Sequence, residues 1–285
     1  MQNKPKKTLS RRFFSGLRYV AVGMTVVSVA VLVLIVVTVI ADGAGELSYH
    51  LLFGEYESTA PSIFPAIVGT LELVLIAGLI AVPLGVASAV FLTEYANRNG
   101  IAVRIIRVAT ETLAGIPSIV YGLFGYLVFV VALGWRYTML GGGITLAVMI
   151  LPGIVRSVEE SILAVPVSFR EGAYALGAGK VRTVFRIVLP AASGGIVTAV
   201  ILAVGRVVSE SAVLILTVGM VVDRVPGGLF SPGTSLALDI YYFYSYGYPA
   251  QAAATSVVLL ALVLAINFLA GRIGKVMKKK AGGQL

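Results

Sequence analysis

The sequence predicts an all-α membrane protein with six transmembrane helices, on three observations: an extreme apolar content, six apolar runs of spanning length, and a one-sided distribution of basic residues. Of its 285 residues, 58% are hydrophobic and only 12% charged, and the mean hydropathy is +0.98. Soluble domains carry about 25% charge, so lipid is the solvent for most of this chain. Apolar runs lie at about 20–40, 66–91, 115–133, 141–155, 191–218 and 250–270. A helix of ~20 residues crosses the ~30 Å of hydrocarbon. The fourth run is short and contains Pro152, so its helix either continues past Arg156 or breaks there.

The first run is too long for the core of a cleavable signal peptide and lacks a small-residue cleavage site, so it is expected to stay as an anchor. The chain then divides into a basic tail (1–19), a first span with its external loop (20–65), a transmembrane domain (66–271) carrying a polar loop at 156–190, and a second basic tail (272–285). Lys and Arg follow this division. Six precede the first run, three lie between runs two and three, five between four and five, and five follow the sixth. The other faces receive Arg136 and Arg224 alone, while Arg206 sits inside a run. By the positive-inside rule both termini are cytoplasmic, in a multi-pass protein of the cell membrane, and the loops with Asp42, Glu46, Glu55, Glu57, Asp223 and Asp239 face outward. The formal charge of +9 is thereby accounted for by topology, with no nucleic acid among the expected partners.

Enzyme chemistry finds few residues to use. The chain has no cysteine and one histidine, His50, too little for a metal cluster or a nucleophile with its base. Gly179-Lys180 resembles the end of a nucleotide-binding P-loop, but Val181 replaces the Ser or Thr and Tyr174 stands at the first glycine position. Gly141-Gly142-Gly143 reads as a flexible start to the fourth span.

The polar loop is more orderly than a plain connection requires. In 168–190, SFREGAYALGAGKVRTVFRIVLP, Ser168 and Glu171 have capping-box spacing, and Phe169, Ala173 and Leu176 fall on one side of a two-turn helix. Gly177 is placed for a left-handed C-cap. Val181, Val184, Phe185 and Val188 then repeat at helical spacing, and Pro190 can open the next helix. A helix this short is marginal in water, so it requires a packing partner.

Glu171-Gly172-Ala173, then Gly177, Ile187 and Leu189-Pro190, resemble the EAA loop of the membrane subunits of ABC importers, with Gly172 in place of the second alanine. The resemblance implies the type I importer (MetI-like) permease fold. It also implies that Ser168, Glu171, Gly172, Ala173, Gly177, Leu189 and Pro190 belong to a coupling element docked on a separate cytoplasmic ATPase, which binds ATP and Mg. No cofactor is then expected in this chain.

The fifth run contains AVILAVGRVVSESAVLILTVG, residues 199–219. Arg206 lies near its midpoint, and Glu210 follows one helical turn later on the same face. Ions in hydrocarbon cost at least ~2.5 kcal/mol each by insertion scales, so both should face the bundle or a wet cavity, either as a pair locking helices or as a guanidinium offered to an anion. Arginine suits an oxyanion because its planar fork donates two parallel hydrogen bonds. Ser209 and Ser211 can add donors, although hydroxyls within spans tend to satisfy their own helix backbone.

Residues 115–126 (GIPSIVYGLFGY), 156–191 and the turn from Arg206 to Glu210 are together similar to the phosphate-importer permeases of PstA type. Ser209 and Ser211 flank Glu210 where that family commonly reads Gly-Glu-Thr. The resemblance implies phosphate passage by Arg206 and Glu210. It further implies a heterodimer with a related PstC-like permease, two copies of a PstB-like ATPase and an extracytoplasmic PstS-like phosphate-binding protein. Molybdate or sulfate permeases are the nearest alternatives, and a proton-coupled anion transporter is a further one.

Overall fold

Local breakers set the limits of most helices. The computed structural model describes residues 7–57, 60–97 and 100–282; residues 1–6 and 283–285, the extremities of the two expected basic tails, lie outside the described residues. The helices are α1 (Lys7–Gly43), α2 (Tyr49–Phe53), α3 (Phe64–Val90), α4 (Ile101–Ala114), α5 (Ser118–Gly125), α6 (Met139–Leu163), α7 (Val167–Ala175), α8 (Lys180–Thr183), α9 (Leu189–Val208), α10 (Ala212–Thr217), α11 (Leu236–Ser245) and α12 (Pro249–Gly282). Wide π turns extend α3 (Phe91–Tyr95) and α5 (Tyr126–Ala132), and another joins α8 to α9 (Val184–Val188). Among the described residues there is no strand.

Five helices are long and apolar enough to cross a membrane: Gly16–Glu46, Phe64–Tyr95, Met139–Leu163, Lys180–Val208 and Pro249–Gly274. A sixth crossing is reached where the pair Val103–Ala114 and Ser118–Ala132, bent by 101°, is counted as one span. The expected third span is the second arm of that pair. Pro117 makes the corner, because its ring excludes a preceding helical turn and it has no N–H to donate. The Tyr121 hydroxyl donates to the Leu113 carbonyl at 2.8 Å across the corner. Pro152, by contrast, does not break α6, which continues to Leu163.

The core lies between α3, α6 and α9, with α6 the most buried span and the apolar stretch of α1 exposed. Close approach replaces hydrophobic driving force here, since lipid tails are as apolar as the side chains. Gly143 of α6 sits where a Cβ would strike Ile76 of α3, and Gly122 of α5 sits against the Val213 backbone of α10. The three glycines 141–143 are therefore not a flexible start. All three are buried in the first turns of α6, whose N-cap Thr138 accepts from the Gly141 amide at 3.0 Å. Gly43 at the end of α1 abuts the backbone of Ala253 near the start of α12. Those two helices thus run antiparallel, and the start of α1 and the end of α12 lie at one end of the bundle, the basic end.

At the opposite end the expectation for Asp239 is corrected. The structure buries it completely, in the first turns of α11, rather than leaving it on a watery loop. The Thr234 hydroxyl donates to its Oδ1, Leu236 N–H donates to Thr70 of α3 at 3.0 Å, and Oδ2 has no partner. Burial pushes the carboxyl up to about 8, against the lowering effect of the Thr234 hydrogen bond. A carboxyl that holds its proton better when folded costs stability as pH rises from its unfolded value, near 4, to about 8. The melting temperature of the purified protein should therefore fall between pH 5 and pH 8.5, and Asp239→Asn should flatten that fall. An unchanged slope in the variant would show that Asp239 is ionised in the fold.

Candidate functional site

The polar loop folds as the sequence predicts at one end and differently at the other. Gly177 has φ +76°, its amide donates to the Tyr174 carbonyl at 2.9 Å, and the Ala178 amide reaches Ala173 at 3.0 Å. This is the paired closure of a left-handed helix end. The expected capping box is not formed. α7 starts at Val167 with Pro166 as its N-cap and no side-chain cap, so Ser168 lies inside the first turn. The fixed φ of proline positions the start where the serine oxygen was expected to. Ser168, Glu171, Gly172 and Gly177 are exposed and Ala173 is buried.

Pro190 falls in the first turn of α9, as the sequence predicts, but that helix is not a separate one. Lys180–Val208 is continuous, with Leu189 half-buried and Pro190 exposed in its course. The π turn at Val184–Val188 immediately before Pro190 widens the helix where a proline ring would otherwise meet the preceding turn.

Arg170, which the sequence reading did not single out, fastens this elbow to two spans. Its Nε and NH2 donate to Glu94 Oε1 at 3.0 and 2.6 Å, NH1 to the Val165 carbonyl at 3.0 Å and NH2 to the Ile162 carbonyl at 3.1 Å. The side chains of Arg170 and Glu94 are 15% and 7% exposed. α7 is thereby joined to the end of the α3 span, to the last turn of α6 through Ile162, and to Val165 just beyond it. The local trace in the sequence is one acid, Glu94, closing an apolar run. Nearby, Arg156 and Glu160 form an exposed pair at 3.2 Å, whereas Glu159 pairs with Arg107 of α4.

The fifth apolar run is interrupted. Expected as one helix, it ends at Val208 and restarts at Ala212, leaving Ser209, Glu210 and Ser211 between α9 and α10. Gly195 of α9 packs against Ser161 near the end of α6. Arg206 follows by eleven residues, about 16 Å of helix rise, which sets it level with the middle of α6. It is exposed on the surface of the chain, in the last turn of α9, where the helix dipole favours a cation. Its charge lies within electrostatic reach of the Tyr121 hydroxyl.

Arg206 and Glu210 do not share one helical face. Glu210 Oε1 instead accepts from Val213 N–H at 3.3 Å at the start of α10, and among the described residues no carboxylate pairs with Arg206. The Ser209 hydroxyl donates to the Gly205 carbonyl at 3.0 Å, the backbone bond anticipated for it. Ser211 accepts through its carbonyl from Leu214 and Ile215, at 3.1 and 3.0 Å. The arrangement presents one permanent cation at a helix break, free of internal neutralisation.

Comparison with known proteins agrees with this architecture. Residues 81–281 match the model of the binding-protein-dependent transport system inner membrane component. The chain is 34% identical over 269 residues to the probable ABC transporter permease protein YqgI of Bacillus subtilis, covering 88% of this chain and 91% of that protein. It is 39% identical over 163 residues to the phosphate transport system permease protein PstA of Mycobacterium leprae, covering 57% of this chain and about half (53%) of that relative. Among solved structures, an inward-facing MetNI methionine ABC transporter chain superimposes with TM-score 0.60 at 26% identity, over 73% of this chain and 93% of that one. A bacterial alginate ABC transporter chain gives TM-score 0.70 at 13% identity, over 96% and 99%, a likeness of fold alone. With a family match over most of its length and the matching all-helical architecture, the chain belongs to the binding-protein-dependent transport system inner membrane components, the permease subunits of ABC importers.

Proposed function

We propose that this permease carries inorganic phosphate, as the PstA-type half of a heterodimer with a PstC-like permease, driven by two PstB-like ATPases and supplied by a PstS-like phosphate-binding protein. The carrying observation is Arg206, an unpaired guanidinium at a helix break midway along the bundle. An oxyanion accepts both arms of such a fork, and one exposed cation makes a weak waypoint from which the ion can leave. Similarity to PstA relatives supports phosphate over other oxyanions.

In this reading the basic end is cytoplasmic, as the distribution of Lys and Arg indicates. Val167, Tyr174 and Leu176 expose apolar side chains on the elbow, Leu176 to 89%. Such a patch on a watery surface fits a docking site for a partner, here the ATPase that binds ATP and Mg. Closure of the ATPase dimer moves α7, and Arg170 passes that movement to α3 and α6, so that Arg206 is exposed alternately to the two sides.

Uptake of labelled phosphate into vesicles holding the assembled complex tests the proposal. It should require ATP and the binding protein and resist excess molybdate or sulfate. Preferential competition by either would reassign the substrate, and uptake driven by a proton gradient without the ATPase would overturn the reading. Glu171→Lys reverses an exposed charge on α7 without touching the spans, and should strip the ATPase from the complex during gentle purification while membrane insertion is unchanged. Full retention of the ATPase with normal uptake would remove Glu171 from the interface.

A further inference from the structure

At the basic end, a groove of about 520 Å³ runs between the last turns of α3 and the start of α9, walled by Val86, Ala87, Phe91, Tyr95, Phe185 and Leu189 among others. Its size falls in the ~300–1,000 Å³ range of small-ligand sites. Apart from Tyr95 these walls are apolar. Two of the three π turns meet here: Phe91 and Tyr95 belong to one, Phe185 to another, and such turns are frequent at functional sites.

Phe185 also lines an adjoining depression of about 640 Å³ formed with Lys180, Arg182 and Arg186. Lys180 Nζ stands 5.1 Å from the centre of the Tyr95 ring, at the mouth of the groove. Among the described residues none of the three cations pairs with a carboxylate. An apolar slot at the end of two spans, opening onto three unneutralised cations, has the two-part chemistry of a phospholipid: a chain below and an anionic headgroup above.

We propose that this groove binds one anionic phospholipid of the leaflet at the basic end, an acyl chain lying between α3 and α9 and the phosphate held by Lys180, Arg182 and Arg186. Basic pockets between spans hold anionic headgroups in this way. The lipid sits beside the elbow, on the helix that leads from α7 to Arg206, so its occupancy bears on the segment that the coupling movement crosses. The site does not depend on the identity of the transported ion.

The test is native mass spectrometry of the full chain in neutral detergent, titrated with dioleoyl-phosphatidylglycerol or dioleoyl-phosphatidylcholine. Phosphatidylglycerol should be retained preferentially, with Lys180→Gln, Arg182→Gln and Arg186→Gln each lowering its retention by about fivefold. Ala87→Trp, which fills the groove and keeps the charges, should lower it as well. Equal retention of the two lipids, or undiminished phosphatidylglycerol binding in the triple glutamine variant, would overturn the proposal. A photoreactive side chain at Phe185 in the assembled complex should label lipid; labelling of a second permease subunit instead would mean that protein covers the groove, and would equally overturn it.

Discussion

Replacing Arg206 by alanine is expected to lower phosphate uptake by about 100-fold, the loss of a charge-assisted contact of about 3 kcal/mol, while the complex still assembles and hydrolyses ATP. The structure gives a specific reason to expect assembly to survive. Had Arg206 and Glu210 formed a buried pair, removing the arginine would strand a carboxylate in a low-dielectric interior. Glu210 is instead occupied with the Val213 amide, so the alanine variant orphans no anion within the chain. Arg206→Lys keeps the charge but loses the bidentate fork, and should retain a fraction of the uptake. Glu210→Gln keeps an oxygen for the amide of α10 and should leave assembly intact. Uptake assays alongside size-exclusion profiles check the series. Dissociation of the Arg206→Ala complex would instead assign the residue to holding subunits together.

The second large effect is expected at the buried junction of Arg170 and Glu94. Removing one member of a buried ion pair costs about 3–5 kcal/mol, because the other charge remains without compensation. Arg170→Ala would leave Glu94, 7% exposed, unpaired, and would remove the guanidinium donors from the Val165 and Ile162 carbonyls. A lower melting temperature and loss of ATP-dependent uptake should follow together. Arg170→Met combined with Glu94→Met separates the two effects, since an apolar pair of similar volume is often as stable as the ion pair it replaces. The double variant should recover its melting temperature yet remain defective in uptake, because α7 is no longer tied to the ends of two spans. Recovery of both would reduce the junction to a stabilising contact, without a role in transmission.

These two sites differ in how far the sequence announces them. A lone arginine in a long apolar run is conspicuous because charge in hydrocarbon is costly, and Arg206 could be singled out with no partner in view. Arg170 sits in an already polar loop, and its partner is 76 residues away, so no window of sequence contains both. The break at residues 209–211 carries no local mark for a related reason: Ser-Glu-Ser is compatible with a helix, and the interrupted form goes with the packing of α10 against Gly122 of α5. Acids in loops are usually hydrated, so sequence alone points Asp239 to water, and it is the docking of α11 on Thr70 that encloses it.

By itself the sequence determined the apolar runs, the left-handed closure at Gly177, the segregation of basic residues and the EAA-like spacing. Each follows from hydropathy or backbone sterics, which act over a few residues and hold in any surroundings. Tertiary structure alone decided that the triple glycine is a packing surface, that Pro190 lies within a continuous helix, that Arg170 unites three elements, and that Arg206 stands apart from Glu210. Those outcomes depend on which distant surfaces meet, and the free energies of such contacts leave no periodic or local mark on the chain.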